Sequence, residues 1–111
     1  MKTVLVSAVA LIDRDGRVLL AQRPEGKSMA GLWEFPGGKI EADESVYQGL
    51  VREISEELAI NVTAANPFMH VSHDYRDKHI LLNVWQVTGF EGEARGAEGQ
   101  ECCWVPIAAL L

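Results

Sequence analysis

"FPGGKIEADESVYQGLVREISEELAI", Phe35 to Ile60, decides how the chain is read. From Ser45 to Leu58 the spacing predicts a helix. Ser45 with Gln48 three residues on fits a capping box. Val46, Tyr47, Leu50, Val51, Ile54 and Leu58 fall within an arc of about 140° at about 100° per residue, a broad stripe for burial. A second face carries Glu53, with Glu56 at about −60° and Glu57 at about +40° from it. Gly49 lies on that face one turn earlier, at a cost of about 1 kcal/mol relative to alanine, and leaves room for a close approach. The glutamates stand at the helix end whose carbonyls already carry about half a negative charge. Two carboxylates about 6 Å apart repel by ~0.7 kcal/mol in water and by about 3 at an effective dielectric of 20. The spacing alone leaves two readings: a solvated acidic face with an Arg52–Glu56 pair, or a divalent cation that reverses the sign of every term. Hard oxygen donors of this kind suit magnesium or manganese rather than zinc.

Upstream, "TVLVSAVALI" (3–12) is apolar on both alternating sets and reads as a strand covered on both faces. Its resemblance to a signal peptide is superficial, because it lacks a small-residue cleavage site and ends in a turn at 13–16. Asp15-Gly16 predicts a hairpin to "RVLLAQR" (17–23), then a loop at 24–31 and a short strand "LWEF" (32–35) stopped by Pro36-Gly37-Gly38. Downstream, 60–75 and 79–90 read as strands, 91–100 as a polar loop and 101–105 as a last strand. Pro106 is placed to start a terminal helix that breaks off at Leu111. The pattern is α/β, an α/β/α sandwich with a mixed sheet and a truncated C-terminal helix, in one domain spanning 1–111.

At 111 residues the chain suffices for one core. A net charge of −6 without a basic stripe argues against nucleic-acid polymers but not against small phosphorylated ligands bridged by cations. No apolar run reaches the roughly 20 residues of a membrane span. Adjacent Cys102 and Cys103 form neither a disulfide framework nor a metal set, which favours core packing and a reducing cytoplasm. His70, His73 and His79 are not spaced as a zinc set, and Trp33, Trp85 and Trp104 read as packing residues.

Gly38, Glu44 and then Arg52-Glu53-Ile54-Ser55-Glu56-Glu57-Leu58-Ala59-Ile60 resemble the Nudix hydrolase signature G-x5-E-x7-R-E-U-x-E-E-x-G-U, U being aliphatic, over residues 38–60. Every charged position matches. Ala59 stands where the family has glycine, at a site expected to close the helix with positive φ, where alanine costs about 1 kcal/mol. "LWEFPGGKIE", Gln22-Arg23 and "GFEGEARGAEGQECCW" extend the likeness to MutT-type members, which hydrolyse oxidised purine nucleoside triphosphates.

The resemblance implies magnesium (manganese substituting) held by Glu53, Glu56, Glu57, Glu98 and the Gly37 carbonyl, with water attacking the β-phosphorus. Glu53 is the first choice for activating that water and Glu98 the second. Arg52 would orient the glutamates, Glu44 would brace the loop against the helix start, and Lys39 is a candidate phosphate contact. Arg23 and Phe35 match positions bordering the base, with Tyr75 and Leu82 as weaker lining candidates. The implied partner is a nucleoside triphosphate such as 8-oxo-dGTP, handled by a cytoplasmic monomer. CTP or methylated dCTP, or a non-catalytic binding module, are the alternatives. The family's base-reading asparagine follows the last strand, and the sequence stops at Leu111 before any such residue.

Overall fold

The computed structural model describes residues 2–23, 26 and 31–110. The first strand, β1 (Lys2–Leu11), is apolar on both alternating sets, but it is not covered on both faces: Ser7, Val9 and Leu11 are buried, and the alternate set is only half-buried. β2 is Arg17–Gln22, β3 Trp33–Glu34, β4 Gly37–Lys39, and the helix α1 spans Val46–Leu58. β5 (Asn61–Asp74), β6 (Lys78–Glu91), β7 (Cys102–Pro106) and a 3-10 turn at Ile107–Leu110 complete the chain. β1 pairs in parallel with β6, from Lys2 opposite Lys78 to Leu11 opposite Val87, and antiparallel with β4. A parallel pair needs a long crossover, and α1 lies within it. With β5 antiparallel to β6, the mixed sheet has the order β4-β1-β6-β5; a second, antiparallel sheet has the order β3-β2-β7. Among the described residues no helix is long and apolar enough to cross a membrane.

The helix begins as its sequence predicts. Ser45 Oγ accepts from the Gln48 amide at 3.1 Å while Gln48 Oε1 accepts from the Ser45 amide at 2.8 Å. It ends at Ala59 in the left-handed region, φ 59° and ψ 35°, the conformation that glycine adopts without strain. Leu50, Ile54 and Leu58 are fully buried and pack with Val9, Leu11, Leu19, Ile60, Val62 and Val87. Each such side chain contributes about 1.5–3 kcal/mol on burial. Tyr47 sits at the rim, exposed, with its ring edge-on to Trp85 at 5.7 Å.

Several local expectations are corrected. β1 and β2 do not form a hairpin ladder; they enter different sheets and share only the Ile12–Val18 bridge, because both edges of β1 are taken. Asp13 shapes the turn instead, accepting from the Asp15 and Arg17 amides and pairing with the Arg17 guanidinium at 2.7 Å. Pro36 does not end strand structure, since Gly37–Lys39 is the edge strand on β1. Pro106 closes β7 opposite Arg17 rather than opening an α-helix. Trp33 is exposed, whereas Trp85 and Trp104 do pack against the core. The loop read at 24–31 lies, apart from Gly26 and Gly31, outside the described residues, as does Leu111.

Alternation along β1 separates two working faces. Ser7, Val9 and Leu11 are buried, Val9 and Leu11 in the core that α1 covers, while Val6 and Ala8 point the other way; Val6, Ala8 and the Ser7 between them border an open hollow.

Candidate active site

Glycines bring the acidic helix face against β4. A Cβ on Gly38 would stand 2.4 Å from Glu53 Oε2, and one on Gly37 would stand 2.0 Å from the Ser7 carbonyl oxygen. Only a side-chain-free strand lets Glu53 and β1 approach this closely. The Gly37 amide donates to Glu57 Oε2 at 3.1 Å, which joins the Pro36-Gly37-Gly38 segment to the helix. Gly49 serves the same end: a Cβ there would meet Ile40 at 2.6 Å and Glu44 Oε1 at 2.8 Å.

Arg52 organises the other carboxylates. Its guanidinium donates to Glu44 at 2.7 and 3.0 Å, to Glu53 at 3.0 Å, to Glu56 at 3.2 Å and to the Lys39 carbonyl at 3.1 Å. It therefore lies among the glutamates and not in the hollow. Glu44, held by Arg52 and by the Glu41 amide, titrates below its ordinary range. This near-buried pair fixes the loop before the helix to the middle of the helix.

Glu53 and Glu57 are pushed the other way. Burial raises the Glu53 carboxyl, opposed by Arg52 and reinforced by the charges of Glu56 and Glu98. Burial raises Glu57 further, to about 7, against the Gly37 hydrogen bond and with help from Glu53, Glu98 and Glu34. Glu98 is thus close enough to act electrostatically on both helix acids. Its loop docks on the helix terminus, where the Arg95 amide donates to the Leu58 carbonyl at 3.0 Å and the Ala97 amide to the Glu57 carbonyl at 2.9 Å. Those carbonyls are ones a helix end leaves unpaired.

The donors fit a hard divalent cation in type and charge: mutually repelling carboxylates with a backbone loop packed against them. As placed, no three acidic, histidine or cysteine side chains among the described residues stand together at ligand distance from one point. Glu56 is 54% exposed, against 18% for Glu53.

On the opposite face of the sheet, a hollow of about 310 Å³ is lined by Val6, Ser7, Ala8, Arg23, Glu34, Phe35, Gly37, Gly38 and Leu82. Arg23, Phe35 and Leu82 are therefore brought together beside the glycine strand against which Glu53 packs. Arg23 pairs with Glu34 at 3.2 Å, giving the wall both donors and acceptors. Phe35 is 40% exposed and offers its ring to the hollow instead of the core.

One expected lining residue is not brought there. Tyr75 lies at the far hairpin tip beyond Asp74, against His73 and 5.9 Å from the Lys78 ammonium, because the β5–β6 register carries it toward Lys2 and away from Val6. Lys39, read as a candidate phosphate contact, borders a separate hollow with Lys2–Leu5, Ile40, Glu41, Ala42 and Glu44. The histidines are dispersed: His73 packs on Tyr75 and His79 pairs with Asp74. Sequence reasoning passed over Ser7, Glu34 and Gln100. Glu34 was legible as the strand neighbour of Phe35; the other two depend on tertiary contacts.

A NUDIX domain model matches residues 7–111. The chain is a Nudix hydrolase. It is 45% identical over 104 residues to a protein of Escherichia coli (strain K12) named CTP pyrophosphohydrolase, covering 94% of this chain and 76% of that one. It is 40% identical over 98 residues to an 8-oxo-dGTP diphosphatase of Proteus vulgaris, covering 88% of each. The crystal structure of a MutT NUDIX hydrolase from Burkholderia pseudomallei superposes with a TM-score of 0.86 at 32% identity, over 97% of this chain and 86% of that one. In this Nudix hydrolase the signature residues 38–60 form β4, its following loop, α1 and the left-handed turn at Ala59. The mixed sheet expected of the family is present, and a non-catalytic role has no support in a box that keeps every glutamate.

Proposed function

We propose that this Nudix hydrolase cleaves nucleoside triphosphates to the monophosphate and pyrophosphate, with oxidised purine nucleotides such as 8-oxo-dGTP as its preferred substrates. The reading is supported above all by the hollow in which Arg23, Glu34 and Phe35 stand beside Gly37-Gly38, the strand against which Glu53 and Glu57 are held. A base enclosed by Phe35 and hydrogen-bonded by the Arg23–Glu34 pair leaves its phosphates directed along the glycine strand toward the carboxylates.

Glu53, Glu56, Glu57, Glu98 and the Gly37 carbonyl are the groups that would hold magnesium, or manganese in its place. When bound, the ion offsets phosphate charge and makes water more acidic. The water oxygen bonds to the β-phosphorus, the bridging P–O bond breaks, and the nucleoside monophosphate leaves. The water's proton passes to a carboxylate, Glu53 first and Glu98 second. Arg52 and Glu44 hold the glutamates in place. The protein acts as a cytoplasmic monomer in removing damaged nucleotides before they enter DNA.

A second reading, a pyrimidine triphosphate such as CTP or methylated dCTP, is favoured by the 45% identity to a protein named for CTP. Pyrophosphate release from normal, oxidised and methylated triphosphates, with and without magnesium, decides between the two. We expect the highest kcat/KM for 8-oxo-dGTP and none above background in EDTA. A clear preference for CTP gives the second reading; equal turnover in EDTA overturns the metal assignment.

A further inference from the structure

Glu98 stands on a turn whose construction is specific. Gly96 accepts from the Gly99 amide at 3.0 Å, and Gly99 has a left-handed φ of 84°. A Cβ on Gly96 would stand 1.9 Å from the Gln100 carbonyl oxygen, so the turn closes only with glycine there. The Gln100 side chain then folds back across it. Its Oε1 accepts from the Glu98 amide at 3.0 Å, and its Nε2 donates to the Glu57 carbonyl at 3.0 Å across 43 positions of sequence. One planar amide therefore joins the peptide of the loop acid to the peptide of a helix acid. The remaining loop bonds to the helix end come from the Arg95 and Ala97 amides, before Glu98.

We propose that Gln100 is a positioning residue for the hydrolytic reaction, setting the place of Glu98 relative to Glu57 by bridging their backbones. The proposal rests on the reading of Glu98 as a working acid of the site. Without the bridge the loop keeps its attachment at Arg95 and Ala97 and the Gly96–Gly99 bond, but the Glu98 amide loses Gln100 as acceptor and the link across to the Glu57 carbonyl is gone, on an exposed turn. Displacing a catalytic group by about 1 Å can cost on the order of 100-fold in rate. Gln100 touches neither the base-binding hollow nor the helix carboxylates, so its loss should fall on kcat and spare KM.

The test is a pair of Gln100 variants in the wild-type and Glu98→Gln backgrounds. Gln100→Ala removes the bridge, and Gln100→Met keeps the length and bulk of the side chain without either hydrogen bond. With magnesium and nucleoside triphosphate, both variants should lose about 10- to 100-fold in kcat with KM changed less than about 3-fold. Neither should cause more than about a 2-fold further loss in the Glu98→Gln background. Amide hydrogen exchange should show Glu98 deprotected in both, while α1 keeps its protection. The exchange measurement requires neither metal nor substrate. Full activity in Gln100→Met, an equal fold-loss in both backgrounds, or an unchanged Glu98 amide would each overturn the role assigned to Gln100. Wild-type turnover in Glu98→Gln alone is a different result: it removes Glu98 from the reaction, and with it the function proposed for the bridge.

Discussion

Replacing Glu57 by glutamine should make the protein more stable and less active. The Glu57 carboxyl titrates at about 7 in the folded chain against an ordinary 4.5. The folded chain therefore binds the proton more tightly than the unfolded one. The stability this proton confers is complete below pH 4.5 and is lost as pH rises through 7. The full difference corresponds to about 3 kcal/mol. Glu57 is only partly buried, and solvent screening reduces this to ~1–2 kcal/mol. Glutamine keeps an acceptor for the Gly37 amide, at 3.1 Å in the native chain, and removes the charge. In EDTA at pH 8, Glu57→Gln should melt higher than wild type by ~4–8 °C. Near pH 4.5 the two should coincide. Glu53 is raised as well and leaves a residual slope in the variant, whereas Glu44 and Asp13 are lowered and titrate below this window. Adding magnesium should raise the wild-type melting point more than that of the variant, by mass action on the folded state. Thermal unfolding followed by circular dichroism from pH 4.5 to 8.5 measures all of this. Equal melting points at pH 8 in EDTA would refute the argument, since burial would then place no penalty on the Glu57 charge.

Glu53→Gln should lower kcat by at least about 10³ with little change in melting point, because it removes charge stabilisation of the transition state; near-normal turnover removes Glu53 from the mechanism. Gly38→Ala places a methyl group where Glu53 Oε2 now lies, 2.4 Å away, and should cost on the order of 100-fold in kcat, read by steady-state kinetics. Ala59→Gly relieves a left-handed alanine at φ 59° and should stabilise the fold by about 1 kcal/mol in chemical denaturation. Arg23→Ala should narrow the ratio of kcat/KM between oxidised and normal purine triphosphates; an equal loss on every substrate counts against base recognition by Arg23.

What could be read beforehand follows the range of the interactions involved. The helix from Ser45 to Leu58 is specified by neighbours within one turn: its capping box appears as spaced in the sequence, and Leu50, Ile54 and Leu58 of the stripe are buried, while Tyr47 stays exposed at the rim. Even the left-handed turn at Ala59 was legible, from the residue type the Nudix pattern places there. Pairing partners were not. Asp15-Gly16 signals a turn but cannot say whether the strands on either side join one sheet, and here β1 is claimed by β4 and β6. Pro36-Gly37-Gly38 carries breaker chemistry, yet β1 supplies an edge that overrides it, and the missing side chains admit Ser7 and Glu53. Tyr75 was read as a weaker lining candidate, and the β5–β6 register carries it to the hairpin tip instead.

The glycines of β4 also explain why acids on one side of a sheet can serve a ligand on the other. Val9 and Leu11 face the helix, while Val6, Ala8 and Leu82 face the hollow, so an interior strand would separate them by a full layer of side chains. β4 is an edge strand, three residues long, whose Gly37 and Gly38 present only backbone. Glu57 reaches it from the helix through the Gly37 amide, and the hollow reaches the same two residues from the other face. The strand is thin enough to be shared. A longer or bulkier edge would put a layer of side chains between the helix acids and the hollow.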